Sequence, residues 1–176
     1  VGWWKNGYPE YFAKVLNAPN WIGIHVDING VALDLNSCKQ VSQFKRELNM
    51  QEGWYQRTFR TVTSNDCEVE VAVTRFLSLD LDELGAIRYE LRLLKGKATV
   101  TMTPYLDAGI TNEDSNWDDK FWNLTAISSE GNRAFVNAHT MKTHFETCTY
   151  MQATASFNGT AVKGVFTEKT ETTIGL

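Results

Sequence analysis

Alternation is the dominant pattern along this chain. Cys67, Val69, Val71 and Val73 fall on one side of an extended backbone, with Glu68, Glu70, Ala72 and Thr74 on the other. A period of two with apolar residues on one side predicts a half-buried strand. Ile87, Tyr89, Leu91 and Leu93 repeat it opposite Arg88, Glu90 and Arg92. Lys95-Gly96-Lys97 then reads as a turn, and residues 98–103 as a return strand rich in β-branched side chains. Upstream, residues 21–28 predict a strand closed by Asn29-Gly30, a pair suited to a tight hairpin. Residues 54–63 predict another, closed by Ser64-Asn65-Asp66. Downstream, residues 134–141, 145–157 and 162–173 read as extended, with Asn158-Gly159 between the last two.

Helical signals are poor. Residues 42–50 carry a weak helical period, and residues 11–16 suffice for a single turn. Residues 105–122 break the alternation: they are too polar for a core strand and too long for a hairpin turn, as functional loops often are. The expected fold is all-β, a two-layer antiparallel β-sandwich of roughly ten short strands, with few or no helices and a single domain over residues 1–176.

Composition supports a packed core, with 43% hydrophobic and 22% charged residues. The net charge is −4, and no basic stripe marks a phosphate-binding surface, so nucleic acid is not an expected partner. No apolar run approaches the roughly 20 residues that span a bilayer, so no membrane partner is expected either. Cys38, Cys67 and Cys148 are widely spaced and form no C-x-x-C pair. They read as isolated buried thiols, which suits a reducing compartment and predicts a cytoplasmic protein. A periplasmic or secreted location stays open, because the chain opens at Val1 inside a motif and its N-terminus reads as trimmed.

Candidate chemistry concentrates in the polar segment. Asp107, Glu113, Asp114, Asp118 and Asp119 lie near Trp117, Phe121 and Trp122. A glycosidase needs two carboxyl groups and a surface on which a sugar ring can stack. The preferred reading is blander: an acidic loop whose aromatics anchor it to the sheet or to a neighbouring domain. Calcium fits the residue types but not the spacing, and no metal or other cofactor is expected. His139 and His144 should point to opposite faces of an extended strand, which disfavours a shared metal. No serine sits in a nucleophile elbow, and no glycine-rich phosphate cradle occurs. Trp3, Trp4, Tyr8, Tyr11, Phe12 and Trp21 offer either a sugar-stacking row or core area, and core is preferred.

Several of these segments together carry a resemblance. Trp3-Trp4-Lys5-Asn6-Gly7-Tyr8-Pro9-Glu10-Tyr11-Phe12, followed by Leu16-Asn17-Ala18-Pro19-Asn20-Trp21, resembles the start of the N-terminal domain of glycoside hydrolase family 65. Phe44-Lys45-Arg46-Glu47-Leu48-Asn49-Met50 with Gly53 and Arg57 is similar to a later family segment. So are Arg75-Phe76-Leu77-Ser78 with Gly85-Ala86-Ile87-Arg88-Tyr89. Thr103-Pro104-Tyr105-Leu106-Asp107 with Thr111-Asn112-Glu113-Asp114 and Asn116-Trp117-Asp118 completes the set, and the likeness fades after Trp122. The resemblance implies a supersandwich of the galactose-mutarotase-like type in front of an (α/α)6 catalytic barrel. That barrel would lie outside this chain, so no catalytic residue is expected here. The parent would be an inverting phosphorylase or hydrolase of α-glucosides such as maltose, trehalose or kojibiose, with inorganic phosphate as co-substrate if a phosphorylase. Its expected partners are the barrel, the sugar and a second copy in a homodimer. Asn112, Glu113, Asp114, Asn116, Trp117, Asp118 and Trp122 are then candidates for substrate binding or an interface. The alternative is a self-standing carbohydrate-binding module.

Overall fold

The computed structural model describes residues 15–112, 120–164 and 172–176. Among them every regular element is a strand. The chain divides into two compact units, one built from residues up to Ile24 together with those from Thr103 onward, the other from His25–Met102.

The second unit centres on an antiparallel meander: β3 (Gln40–Asn49), β4 (Trp54–Val62), β5 (Glu68–Leu77) and β6 (Gly85–Lys95). The valine alternation sets its buried face. Val69 and Val71 are buried, and Phe59 lies opposite Val71, which in turn lies opposite Leu91. Ile28, Cys67, Leu33, Leu35 and Ala98 complete this core. Ile28 ends β1 (Asn20–Ile28), which turns through Asn29-Gly30 into the short β2 (Val31–Ala32). Asn29 at φ 54° and Gly30 at φ 76° supply the paired left-handed conformations such a hairpin requires.

Tyr89 packs at the edge of this core. Burial pushes its phenol up to about 12, against the smaller lowering pull of Arg57. The unfolded phenol ionises near pH 10, so stability is unaffected below that value. From about pH 10 to about pH 12 the unfolded chain releases its proton first, and stability falls as pH rises, by roughly 1–2 kcal/mol once the ring's partial exposure is discounted. Urea midpoints followed across that range should show a decline that Tyr89→Phe flattens. An identical decline in the variant would remove Tyr89 as its cause.

In the first unit, β7 (Val100–Asp107) is flanked by β1 and by β13 (Thr173–Gly175). A second sheet holds β8 (Trp122–Glu130), β9 (Arg133–Thr140) and β10 (Glu146–Gln152). Leu106 and Ile174 from the first sheet meet Trp122, Ala134, Val136 and Ala138 from the second, with Phe121 and Ala108 between. This is sheet-on-sheet packing within one unit, each strand turning alternate residues inward. Along β9, Ala134, Val136, Ala138 and Thr140 are buried. β11 (Ala155–Phe157) and β12 (Thr160–Val162) form a separate hairpin through Asn158-Gly159.

Three local expectations need correction, and one strand, β8, was not anticipated. Residues 42–50 are not helical: they lie in β3, and a bulge between Ser42 and Lys45, with Gln43 at φ 52°, inserts a residue that spoils the period of two. β8 escapes the alternation for the same reason, with a register shift between Leu124 and Ala126. Residues 105–122 are not all loop: Tyr105, Leu106 and Asp107 belong to β7, and Trp122 opens β8. The extended run 145–157 breaks at residues 153–154, where Asn132 and Ala153 exchange hydrogen bonds beside the β8–β9 turn.

Candidate functional site

The polar segment is closed at its base. Thr111 and Lys120 form an isolated antiparallel bridge. Just inside it, Asn112 is only 9% exposed and uses both ends of its amide. Its Oδ1 accepts from the Asn17 backbone N–H at 3.0 Å, and its Nδ2 donates to the Val15 carbonyl at 2.7 Å. The Asn17 Nδ2 in turn donates to the Thr111 carbonyl at 3.4 Å. The Asn17 carbonyl accepts the Trp122 indole N–H at 2.7 Å. Residues 15–19 have no regular structure, so side chains supply the bonds that a strand ladder would give. A carboxylate at position 112 has no donor for Val15, which is why the amide fits there.

These contacts define what two of the candidates do. Asn112 and Trp122 hold the 15–17 stretch to the base of the polar segment. Trp122 is 7% exposed and packs in the core with Phe121 and Leu106. Glu113, Asp114, Asn116, Trp117 and Asp118 lie outside the described residues. Asp107 is engaged in the turn after β7, where its Oδ1 accepts from Gly109 N–H at 2.8 Å and from the Thr173 hydroxyl at 3.2 Å. Asn17 escaped the sequence reading as an anchor, since its partners lie 94 to 105 residues away.

The histidines depart from expectation. His139 and His144 do not point apart: their rings lie 5.6 Å apart between centroids, tilted by 39°. β9 ends at Thr140, and the following turn, with His144 at φ 51°, brings the second ring back beside the first. Asn123 Nδ2 and His139 Nε2 are 3.4 Å apart. Among the described residues, no three histidine, cysteine or acidic side chains converge as a metal site. The cysteines are all free, but only Cys67 is buried; Cys38 is half-buried and Cys148 is exposed, against the expectation of buried thiols. Among aromatics near the start, Trp21 packs against the first unit's core, while Trp3, Trp4, Tyr8, Tyr11 and Phe12 lie outside the described residues.

Comparison with known proteins follows the same lines. The sequence profile described as "Glycosyl hydrolase family 65, N-terminal domain" matches residues 1–176. Maltose phosphorylase from Bacillus subtilis (strain 168) is 42% identical over 160 residues, which cover 91% of this chain and 21% of that protein. A solved structure named, provisionally, as a kojibiose phosphorylase from the human microbiome superposes with a TM-score of 0.68 at 23% identity, covering 92% of this chain and 20% of the other. At that identity the likeness speaks for the fold alone. The chain spans about a fifth of the length of each.

Proposed function

Because the chain belongs to the glycosyl hydrolase family 65 N-terminal domains, we infer that it is the non-catalytic front part of an enzyme acting on α-glucosides such as maltose. Bond cleavage falls to sequence outside it. The observation that carries this reading is the profile match along the whole chain, joined to 42% identity with a maltose phosphorylase. In a phosphorylase, inorganic phosphate is the co-substrate, attacking the anomeric carbon while a carboxylic acid protonates the leaving oxygen.

The contribution of this chain is positional. The Thr111–Lys120 bridge, Asn112 and Trp122 fix both ends of the segment 113–119 to the first unit's core. Glu113, Asp114, Asn116, Trp117 and Asp118, which lie outside the described residues, are the proposed contacts to the sugar or to the neighbouring domain. In the full-length protein, Trp117→Ala and Asp118→Asn should each lower kcat/KM for maltose phosphorolysis by about tenfold, a loss of about 1.4 kcal/mol. Unchanged kcat/KM in both would remove this role.

A further inference from the structure

Asn-Gly occurs three times in the chain, at Asn6-Gly7, Asn29-Gly30 and Asn158-Gly159. The first lies outside the described residues. The other two form the same kind of hairpin tip. Asn29 and Gly30 sit at φ 54° and 76°, Asn158 and Gly159 at φ 49° and 79°. Both asparagines are exposed, and a Cβ added at either glycine would meet nothing within 4 Å. Backbone shape and access to water are therefore matched. What differs is the asparagine amide.

The Asn29 amide is held at both ends. Its Nδ2 donates to the Lys97 carbonyl at 3.3 Å and to Cys67 Sγ at 3.5 Å. Its Oδ1 accepts from the Thr99 N–H at 2.9 Å, and its own backbone N–H donates to the Thr99 carbonyl at 2.9 Å. The Asn158 side chain makes no hydrogen bond to any described residue. The ladder behind Asn158 is short as well. β11 and β12 pair through three residues each and join no other strand among the described residues. A lone two-stranded hairpin is marginal in water, so this tip opens at low cost.

We propose that Asn158 is a site of spontaneous deamidation and isoaspartate formation, and that Asn29 is not. The Gly159 backbone nitrogen attacks Asn158 Cγ. The side-chain nitrogen leaves as ammonia, taking up the proton that the Gly159 amide gives away, and a succinimide ring closes. Water then opens the ring. Cleavage between the nitrogen and Cγ gives aspartate. Cleavage between the nitrogen and the Asn158 backbone carbonyl carbon gives isoaspartate, with the main chain now running through Cβ and Cγ. Glycine favours the attack because it has no side chain to block the approach. A free amide favours it because Cγ must swing toward the Gly159 nitrogen, which Asn29 can match only by breaking its three side-chain bonds. Isoaspartate lengthens the main chain at the tip and adds a negative charge, so the two-residue turn no longer closes β11 on β12. This site is separate from the segment 113–119, and the two proposals can fail independently.

The test incubates the full-length natural polypeptide at mildly alkaline pH and follows each asparagine by tandem mass spectrometry of its proteolytic peptides. Asn158 should gain the single mass unit of amide-to-acid conversion at least about tenfold faster than Asn29, the factor that three hydrogen bonds of ordinary strength supply. A methyltransferase specific for isoaspartyl carboxyl groups should label the Asn158 peptide. In the urea-unfolded chain Asn29 should catch up with Asn158, because its hydrogen bonds are gone. The assignment would be overturned by an Asn158 that keeps its amide while the unfolded chain loses it, or by a product free of isoaspartate. Equal rates at the two sites in the folded protein, or a lag at Asn29 that persists in urea, would overturn it too.

Discussion

Phe121→Ala is expected to destabilise the unit that holds it by about 3–5 kcal/mol. Phe121 is the bulkiest of the fully buried side chains, at 2% exposure. It packs with Leu106 on β7, Val136 on β9 and Ile174 on β13, strands drawn from two sheets. Each of those strands is pinned by its own ladder, β13 to β7 and β9 to both β8 and β10. The wall around a deleted ring therefore has little freedom to collapse, and cost follows the volume left empty. Phe121→Leu, which keeps much of the volume, should lose far less. Equilibrium unfolding in urea separates these outcomes, and a loss under about 1 kcal/mol for the alanine variant would show that the sheets close over the gap.

Asn112→Ala should cost roughly 2–3 kcal/mol, by another route. It removes the bonds to Val15 and Asn17 and leaves both backbone groups to find new partners near a buried position. Asn112→Asp is the discriminating control. It keeps an acceptor for the Asn17 N–H but turns an oxygen toward the Val15 carbonyl, so it should be at least as damaging as alanine. Hydrogen exchange at the Asn17 amide gives the local readout. Exchange there should quicken in both variants, and an unchanged rate would mean that residues 15–17 are held by something other than this amide.

What the sequence disclosed depended on whether side-chain order survives along the strand. Val69, Val71 and Val73 alternate without interruption, and β5 is found where they place it. Asn29-Gly30 and Asn158-Gly159 announce their hairpins because few other residue pairs adopt positive φ twice in succession. β3 and β8 were obscured by their bulges, since one inserted residue moves every later side chain to the opposite face. The polar segment was legible as a place but not as a mechanism. Asn112 and Trp122 stood out by company, yet their roles depend on Asn17, which nothing nearby in the sequence points to. The grouping of Arg46, Arg57 and Arg75 was illegible for a related reason: only the register shows that they share a face.

The ring of Tyr105 lies so close to Gly23 that a Cβ there would fall 2.2–2.6 Å from three of its atoms. Evolutionary drift at these two positions is thereby linked. A lineage that acquires any side chain at 23 must first, or at the same moment, shrink or swing away the aromatic at 105. Among descendants, glycine with a large ring and a bulkier residue with a small partner should form two separate haplotypes, with few intermediates between them.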